Sequence, residues 1–453
     1  PTARLLREFA GSLPGEPKPG GAVREFTVEA APATITFGDG RPLQVWAYNG
    51  QVPGPTLRIR LGETLRVRFT NKLPQETTIH WHGVRVPNAM DGTPHVTQAP
   101  VPPGGTFVYE FTPKDAGTFW FHPHVRGSEQ VERGLYGVLL VEDRQPPPYS
   151  RELVWVLDDW LLTPAHEVSP EFNTRHDLAH DGRWGNVVTV NGTPGGATVD
   201  VHPGERLRVR ILNSSNGRVY APDLAGFHAK VIAIDGLYAA APFEPGRIEI
   251  APGNRVDLDM VVAPEERGQT FTIVDRFYGA QPNPLVRLHI VDEPPIATPQ
   301  FASPARGRIP AWRETGAIPA RVEYRLNSRM GGPFGIEWTL NDRAFAGHDH
   351  AAMLHHPVET FVAGEWIKIR FVNESYRIHP MHMHGVFFKL LARNGQPVEE
   401  PHFRDTVLVH SKETIEIGLV PLDVGRWMMH CHILEHAEAG MMTLFAVEPA
   451  KNR

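Results

Sequence analysis

One ten-residue pattern occurs three times in this chain, and its spacing constrains the fold more than any other feature. Gly62-Glu63-Thr64-Leu65-Arg66-Val67-Arg68-Phe69-Thr70-Asn71 returns as Gly204-Glu205-Arg206-Leu207-Arg208-Val209-Arg210-Ile211-Leu212-Asn213. It returns again as Gly364-Glu365-Trp366-Ile367-Lys368-Ile369-Arg370-Phe371-Val372-Asn373. Each copy is a Gly-Glu turn followed by alternating apolar and basic residues, the pattern of a strand with one buried face. The copies lie 142 and 160 residues apart, too far for a solenoid unit and about one domain each. With 43 Pro and 42 Gly among 453 residues, many short β-rich runs and little helical periodicity, the expectation is all-β: three similar β-sandwich domains. Boundaries fall in the proline-rich stretches Asp143–Arg151 and Asp292–Ala320, which gives domains over 1–145, 146–295 and 296–453.

The repeat also organises the histidines. Eighteen residues after Gly62 stands His80-Trp81-His82-Gly83, and eighteen after Gly364 stands His382-Met383-His384-Gly385. The ends of the same two domains match as well, Phe121-His122-Pro123-His124 against Met429-His430-Cys431-His432. In the middle domain the corresponding position is Pro222 and no His-x-His follows, so that domain is expected to be a spacer without ligands. Alternation along a strand puts both rings of a His-x-His pair on one face. Two related domains facing each other across a pseudo-twofold axis would gather eight imidazoles, too many for one ion but enough for three. His80 and His382 would share an ion on the axis. The other six would split into two equivalent threes, and symmetry alone does not say which rings mix.

Cys431 is the only cysteine, so it has no intramolecular disulfide partner. His436 follows five residues later and Met441 five beyond that. A thiolate, two imidazoles and a weak thioether are the ligand set of a blue electron-transfer copper. Cys431 faces away from its neighbours on a strand, so one segment would serve two metal centres.

These segments resemble the four copper-binding segments of the multicopper oxidases, and more narrowly those of bacterial laccases. The motifs are His-Trp-His-Gly, His-Pro-His, His379-Pro380-Met381-His382-Met383-His384, and His430-Cys431-His432-Ile433-Leu434-Glu435-His436 through Met441. The resemblance covers the whole chain and implies three cupredoxin-like Greek-key domains and four copper ions. Carried over by position, His379, Cys431 and His436 would bind the type 1 copper with Met441 axial, and His80 and His382 the type 2 copper. The type 3 pair would be held by His82, His122 and His432 on one ion, and by His124, His384 and His430 on the other. Thr77 and Pro123 stand in the first domain where His379 and Cys431 stand in the third, so that domain is expected to lack a type 1 site.

The implied activity is one-electron oxidation of phenols or aromatic amines coupled to four-electron reduction of O₂ to water. Electrons would arrive at the edge of His436 and pass through Cys431 to His430 and His432. Asp91, in Met90-Asp91-Gly92, matches a family acid that relays protons. Some relatives carry a second acid immediately after the counterpart of His436; here that residue is Ala437, with Glu435 and Glu438 the nearest acids. An alternative within the same chemistry is a metallo-oxidase whose natural reductant is Cu⁺ or another metal ion. Absence of a Met-rich insertion argues against it. Copper storage or a degenerate scaffold would predict lost ligands, whereas all twelve positions are filled.

The remaining histidines are expected to be surface or satisfied core residues. They include a cluster at His348-Asp349-His350, His355 and His356, expected to be a solvated loop. A net charge of −6 argues against a nucleic-acid partner. No stretch approaches the roughly 20 apolar residues of a membrane span. The polar, Pro- and Gly-rich start at Pro1–Gly21 fits a mature chain after signal removal, giving a periplasmic or extracellular location and a monomer acting on O₂ and a small reductant. Axial Met441 rather than Leu or Phe sets a low-to-middling type 1 potential. A redox titration placing that potential among the highest of the family would contradict this.

Overall fold

The computed structural model describes residues 20–38, 40–279, 282–302, 315–347 and 350–450. Residues 1–19, His348, Asp349 and the middle of the Asp292–Ala320 connector lie outside them. Six sheets account for the described strands, two for each expected domain. Two four-stranded sheets enclose the first core, a seven-stranded and a three-stranded sheet the second, and a six-stranded and a five-stranded sheet the third. Apolar side chains from the first and third domains merge into one large buried cluster, joined by Leu178 and Leu237 of the middle domain, which otherwise holds a separate one. The division follows from the ligand pattern, because the domains that carry the histidines must pack directly on each other. Among the described residues no helix is long and apolar enough to cross a membrane.

The three repeats occupy one structural position. Strand Thr64–Asn71 runs parallel to Val23–Thr36 and antiparallel to Thr106–Phe111. Arg206–Asn213 runs parallel to Arg151–Trp160 and antiparallel to Arg255–Val261. Ile367–Asn373 runs parallel to Val322–Met330 and antiparallel to Thr414–Leu419.

The terminal asparagine of each copy has the same task. Asn71 Nδ2 donates to the carbonyls of Gln75 and Val101 at 2.8 and 2.9 Å, and its Oδ1 accepts from the Leu73 amide at 2.9 Å. Asn213 does the same with Arg218, Ile250 and the Ser215 amide. Asn373 does so with Arg377, His410 and the Ser375 amide. A buried strand end has backbone groups that must be paired, and one side-chain amide pairs three of them. This explains why the residue recurs in a domain that carries no His-x-His pair. Replacing Asn213 with Ala should lower the stability of the copper-free protein by roughly 2–4 kcal/mol, since three buried partners are orphaned together. Denaturant titration checks this, and a loss under about 0.5 kcal/mol would contradict it.

Candidate metal centres

Strand pairing brings the histidines together. His80–His82 runs antiparallel to Gly117–His122 with His80 opposite His122. His379–Met383 runs antiparallel to Gly425–Cys431 with His382 opposite His430. The two sets then meet with a twofold correspondence in detail. The His80 ring stacks on His384 at 3.7 Å and 15°, and the His382 ring stacks on His82 at 3.7 Å and 11°. His80 and His122 cross at 5.5 Å and 81°, His382 and His430 at 5.5 Å and 83°.

Seven of the eight rings are held toward the neutral form. Burial first, and then the neighbouring imidazoles, hold His82, His122, His124, His384, His430 and His432 well below the ordinary histidine range, and burial lowers His382. A neutral ring has one N–H and one lone pair, so the partner on its outer side decides what it presents inward. Backbone carbonyls take the Nδ1–H of His80 at Asp91 (2.8 Å), of His122 at Pro123 (3.0 Å), of His382 at Asp405 (2.9 Å) and of His430 at Cys431 (2.8 Å). Carboxylates take two more: Asp91 Oδ2 faces His384 Nδ1 at 2.9 Å, and Asp405 Oδ1 faces His82 Nε2 at 3.1 Å.

The inner nitrogens of His80, His82, His122 and His382 have no protein hydrogen-bond partner, nor does either nitrogen of His432. His430 Nε2 stands 3.3 Å from His384 Nε2 and 3.4 Å from His124 Nε2. With the Nδ1–H of His430 and His384 already committed outward, two lone pairs face each other there. Such an arrangement is unfavourable without a cation between them, and it fits a metal whose ligands include imidazole.

Ligand atoms of His124, His384 and His430 converge within 4.8 Å, as do those of His80, His382 and His384 and of His80, His82 and His122. His432 lies beside the last group, its ring 5.0 Å from His82 and 5.4 Å from His122.

The second centre forms on the other face of the same strand. Cys431 Sγ is 3.6 Å from His379 Nδ1 and 3.7 Å from His436 Nδ1, and the two nitrogens are 3.2 Å apart. His379 Nε2 meets Ser375 Oγ at 2.9 Å, and His436 Nε2 donates to the His180 carbonyl at 2.7 Å, so both rings turn Nδ1 inward. Burial brings His436 down to about 3 and pushes the Cys431 thiol up, so neither charged form survives without a metal. Met441 is fully buried in the apolar cluster that holds Cys431, whereas Met442 belongs to a different one.

The first domain preserves the outline of this centre. Met441 N bonds to His436 O, and Leu135 N bonds to Gln130 O in the same way. Thr77, Pro123, Gln130 and Leu135 therefore occupy the places of His379, Cys431, His436 and Met441. Thr77 Oγ1 donates to Gln130 Oε1 at 2.7 Å, a hydrogen bond where the third domain gathers ligands.

Three expectations need correction. His436 has no exposed edge, because the middle-domain segment from Thr174 to Gly182 lies over it. Leu178 is fully buried in the cluster with Cys431 and Met441, and its carbonyl accepts from Trp338 Nε1 at 2.8 Å. Trp338 in turn packs 4.2 Å from the His436 ring. The middle domain is therefore more than a spacer. His350, expected in a solvated loop, is only 3% exposed and lies 5.9 Å from the His124 ring.

Asp91 is buried and, besides His384 and His80, accepts from Thr93 Oγ1 at 2.6 Å, so it is no ordinary surface turn. Of the acids near Ala437, Glu435 is buried and pushed up to about 8 by that burial. Its Oε1 accepts from Asn216 of the middle domain at 2.7 Å.

Sequence reasoning did not find Asp405. It makes for His382 and His82 the contacts that Asp91 makes for His80 and His384, but lies twenty-three residues after His382 while Asp91 lies eleven after His80.

Three sandwiches that bring together buried imidazoles and a single buried cysteine define a metal-dependent redox protein of cupredoxin type. The multicopper oxidase family matches in three successive parts, over residues 29–146, 151–291 and 319–451. Multicopper oxidase MmcO of Mycobacterium tuberculosis is 30% identical over 92% of this chain and 86% of its own length. A multi-copper oxidase structure from Pseudomonas thermotolerans superimposes with a TM-score of 0.82 at 32% identity, covering 95% of this chain and 100% of that one. A laccase structure from Pediococcus acidilactici gives 0.77 at 27% identity over 96% and 93%. The chain belongs to the multicopper oxidase family. It is an oxidoreductase with copper cofactors.

The buried imidazoles make the copper-free protein acid-sensitive. A ring held below its ordinary value of about 6.5 binds fewer protons folded than unfolded, so its contribution to stability is complete above that value and lost as pH falls below it. Unfolding free energy of the copper-free protein should therefore decline steadily from about pH 7 to about pH 4. A flat denaturant-midpoint profile across that range would contradict this.

Proposed function

We propose that four copper ions are held at twelve side chains. His379, Cys431, His436 and Met441 would hold the type 1 ion, and His80 and His382 would hold the type 2 ion. His82, His122 and His432 would hold one type 3 ion, and His124, His384 and His430 the other. Copper bound there would supply one-electron transfer from a donor and the reduction of O₂ with four electrons and four protons to two waters. We further propose the domain division 1–145, 146–295 and 296–453, monomeric action, and a location outside the cytoplasm.

The observation that carries this reading is the position of Cys431. Its thiol faces His379 and His436, while His430 and His432, one residue to either side, lie among the eight rings. Two covalent paths of a few bonds thus join the sites, and His430 Nδ1 shortens one of them by donating to the Cys431 carbonyl at 2.8 Å.

On the donor side, the His180 carbonyl holds His436 Nε2–H, and Leu178 and Trp338 close the apolar wall. Electrons therefore cross the peptide at His180 rather than an open imidazole edge. On the oxygen side, Asp91 bridges the outer nitrogens of His80 and His384 and takes a hydrogen bond from Thr93. Its carboxylate, buried beside the rings, can bind and release a proton at its own oxygens, which supports Asp91 as the proton relay.

The donors best supported are phenols and aromatic amines, in keeping with the laccase likeness. The covered His436 also suits a metal ion as donor, because neither kind touches the ring directly. Rates on a phenol, an aromatic diamine and Cu⁺ measured side by side distinguish them.

Cys431→Ser should abolish the intense visible thiolate-to-copper absorption and lower turnover by at least about 10³-fold, while about three coppers per chain are retained. Turnover within about 10-fold of the unmodified enzyme would refute the assignment of Cys431.

A further inference from the structure

Behind the eight histidines lies one fully buried guanidinium, Arg255, contributed by the middle domain. Its Nη2 donates to Asp405 Oδ2 at 2.7 Å and its Nη1 to Asp405 Oδ1 at 3.1 Å. Its Nε donates at 3.0 Å to the carbonyl of Thr118, on the strand that ends at His122. One side chain thus ties together all three domains. We infer that Arg255 is a positioning residue of the three-copper site: through Asp405 it fixes the rings of His82 and His382. The inference rests on the copper assignment proposed above.

The geometry supplies a cause for each link. Asp405 Oδ1 accepts from His82 Nε2 at 3.1 Å, which places that ring's proton outward and leaves Nδ1 as the inner, unpartnered atom. The Asp405 carbonyl accepts from His382 Nδ1 at 2.9 Å and leaves Nε2 inward. The carboxylate oxygen that serves His82 also stands 3.5 Å from His382 Nδ1, and it keeps both places only if the carboxylate does not rotate. The bidentate guanidinium fixes its plane, since a planar fork matches a carboxylate in one orientation.

The backbone is fixed from the same side. Asp235 Oδ2 accepts from the amides of Asp405 and Thr406 at 3.0 and 3.2 Å, and Asn254 Nδ2 donates to the Thr406 carbonyl at 3.0 Å. Two glycines make room for the arrangement. A Cβ on Gly83, at φ +81°, would collide with Arg255 Nη2 and stand 2.5 Å from Asp405 Oδ2. A Cβ on Gly253, at φ +88°, would come within 2.8 Å of His82 Cε1 and 3.0 Å of His432 Cδ2.

The pseudo-symmetric partner lacks this reinforcement. Asp91 makes the equivalent contacts to His384 and His80, but the further hydrogen bond to its carboxylate comes from the Thr93 hydroxyl. Among the described residues the twofold pattern of the ligands is therefore broken in their supports, with a guanidinium on the carboxylate of Asp405 but not on that of Asp91.

The test uses copper-loaded Arg255→Gln, Arg255→Lys and Asp405→Asn, with Arg208→Gln as control. Arg208 is another buried guanidinium of the middle domain, 4% exposed and paired with Asp257 at 2.7 Å. Copper per chain and the type 2 electron paramagnetic resonance signal are followed during dialysis against a chelator, alongside the visible thiolate band. Arg255→Gln should hold the type 2 ion about 10- to 100-fold more weakly, with the visible band intact. Asp405→Asn, which keeps the volume, should lose it similarly, and Arg255→Lys should fall between. Arg208→Gln should retain all coppers.

Retention of an unaltered type 2 signal by Arg255→Gln, or by Asp405→Asn should the former not fold, would overturn the inference. An equal loss in Arg208→Gln would reduce Arg255 to a general structural role and overturn it too. Absence of the visible band from the unmodified protein would instead overturn the copper assignment, and with it this inference.

Discussion

A neutral imidazole in a protein interior must place its N–H on an acceptor, and everything else about these centres depends on where that acceptor is. Eight rings cannot point lone pairs at a common space unless the outer sides are lined with oxygens. This chain lines six of them with the carbonyls of Asp91, Pro123, Asp405 and Cys431 and with two carboxylates. Desolvation keeps the rings neutral, and the committed N–H groups fix the tautomers. The inner nitrogens are left as a dense array of acceptors that only cations satisfy. The metal preference is thus a consequence of buried hydrogen bonding as much as of ligand identity.

Duplication explains why the arrangement is nearly twofold, and divergence explains why it conducts. His122 and His430 both bond Nδ1 to the next residue's carbonyl, one at Pro123 and the other at Cys431. In the proposed assignment, exchange of that single residue joins the eight-histidine cluster to the second centre. In the first domain the equivalent space is filled by Leu135 and by the Thr77–Gln130 hydrogen bond. The middle domain kept neither ligand set but acquired supporting roles. It covers His436 with the segment around Leu178 and His180, and it holds Asp405 with Arg255.

Much of this was legible in the sequence because the repeat is long and its landmarks sit at equal offsets. The all-β sandwiches, the four His-x-His pairs, the double duty of the strand ending at Cys431 and the inert counterpart in the first domain all follow from those offsets. Residues that support the rings were not legible, because loops of unequal length place them. Asp405 and Asp91 are equivalent in space but not in spacing. Arg255 looks like any basic residue of an alternating strand until its neighbours from two other domains are known. The cover over His436 comes from a middle-domain segment with no counterpart in the repeat, so the burial of that ring was invisible. His350 shared a run of histidines with its neighbours, and only packing distinguishes it.

Anomalous X-ray scattering at the copper absorption edge, from crystals of the copper-loaded protein, tests the central claim most directly. The account predicts four peaks: one bounded by His379, Cys431 and His436, and three among the eight histidines, each adjoining nitrogens that now lack a hydrogen-bond partner or face another ring nitrogen. Fewer than three peaks among those histidines, or none beside Cys431, would contradict it.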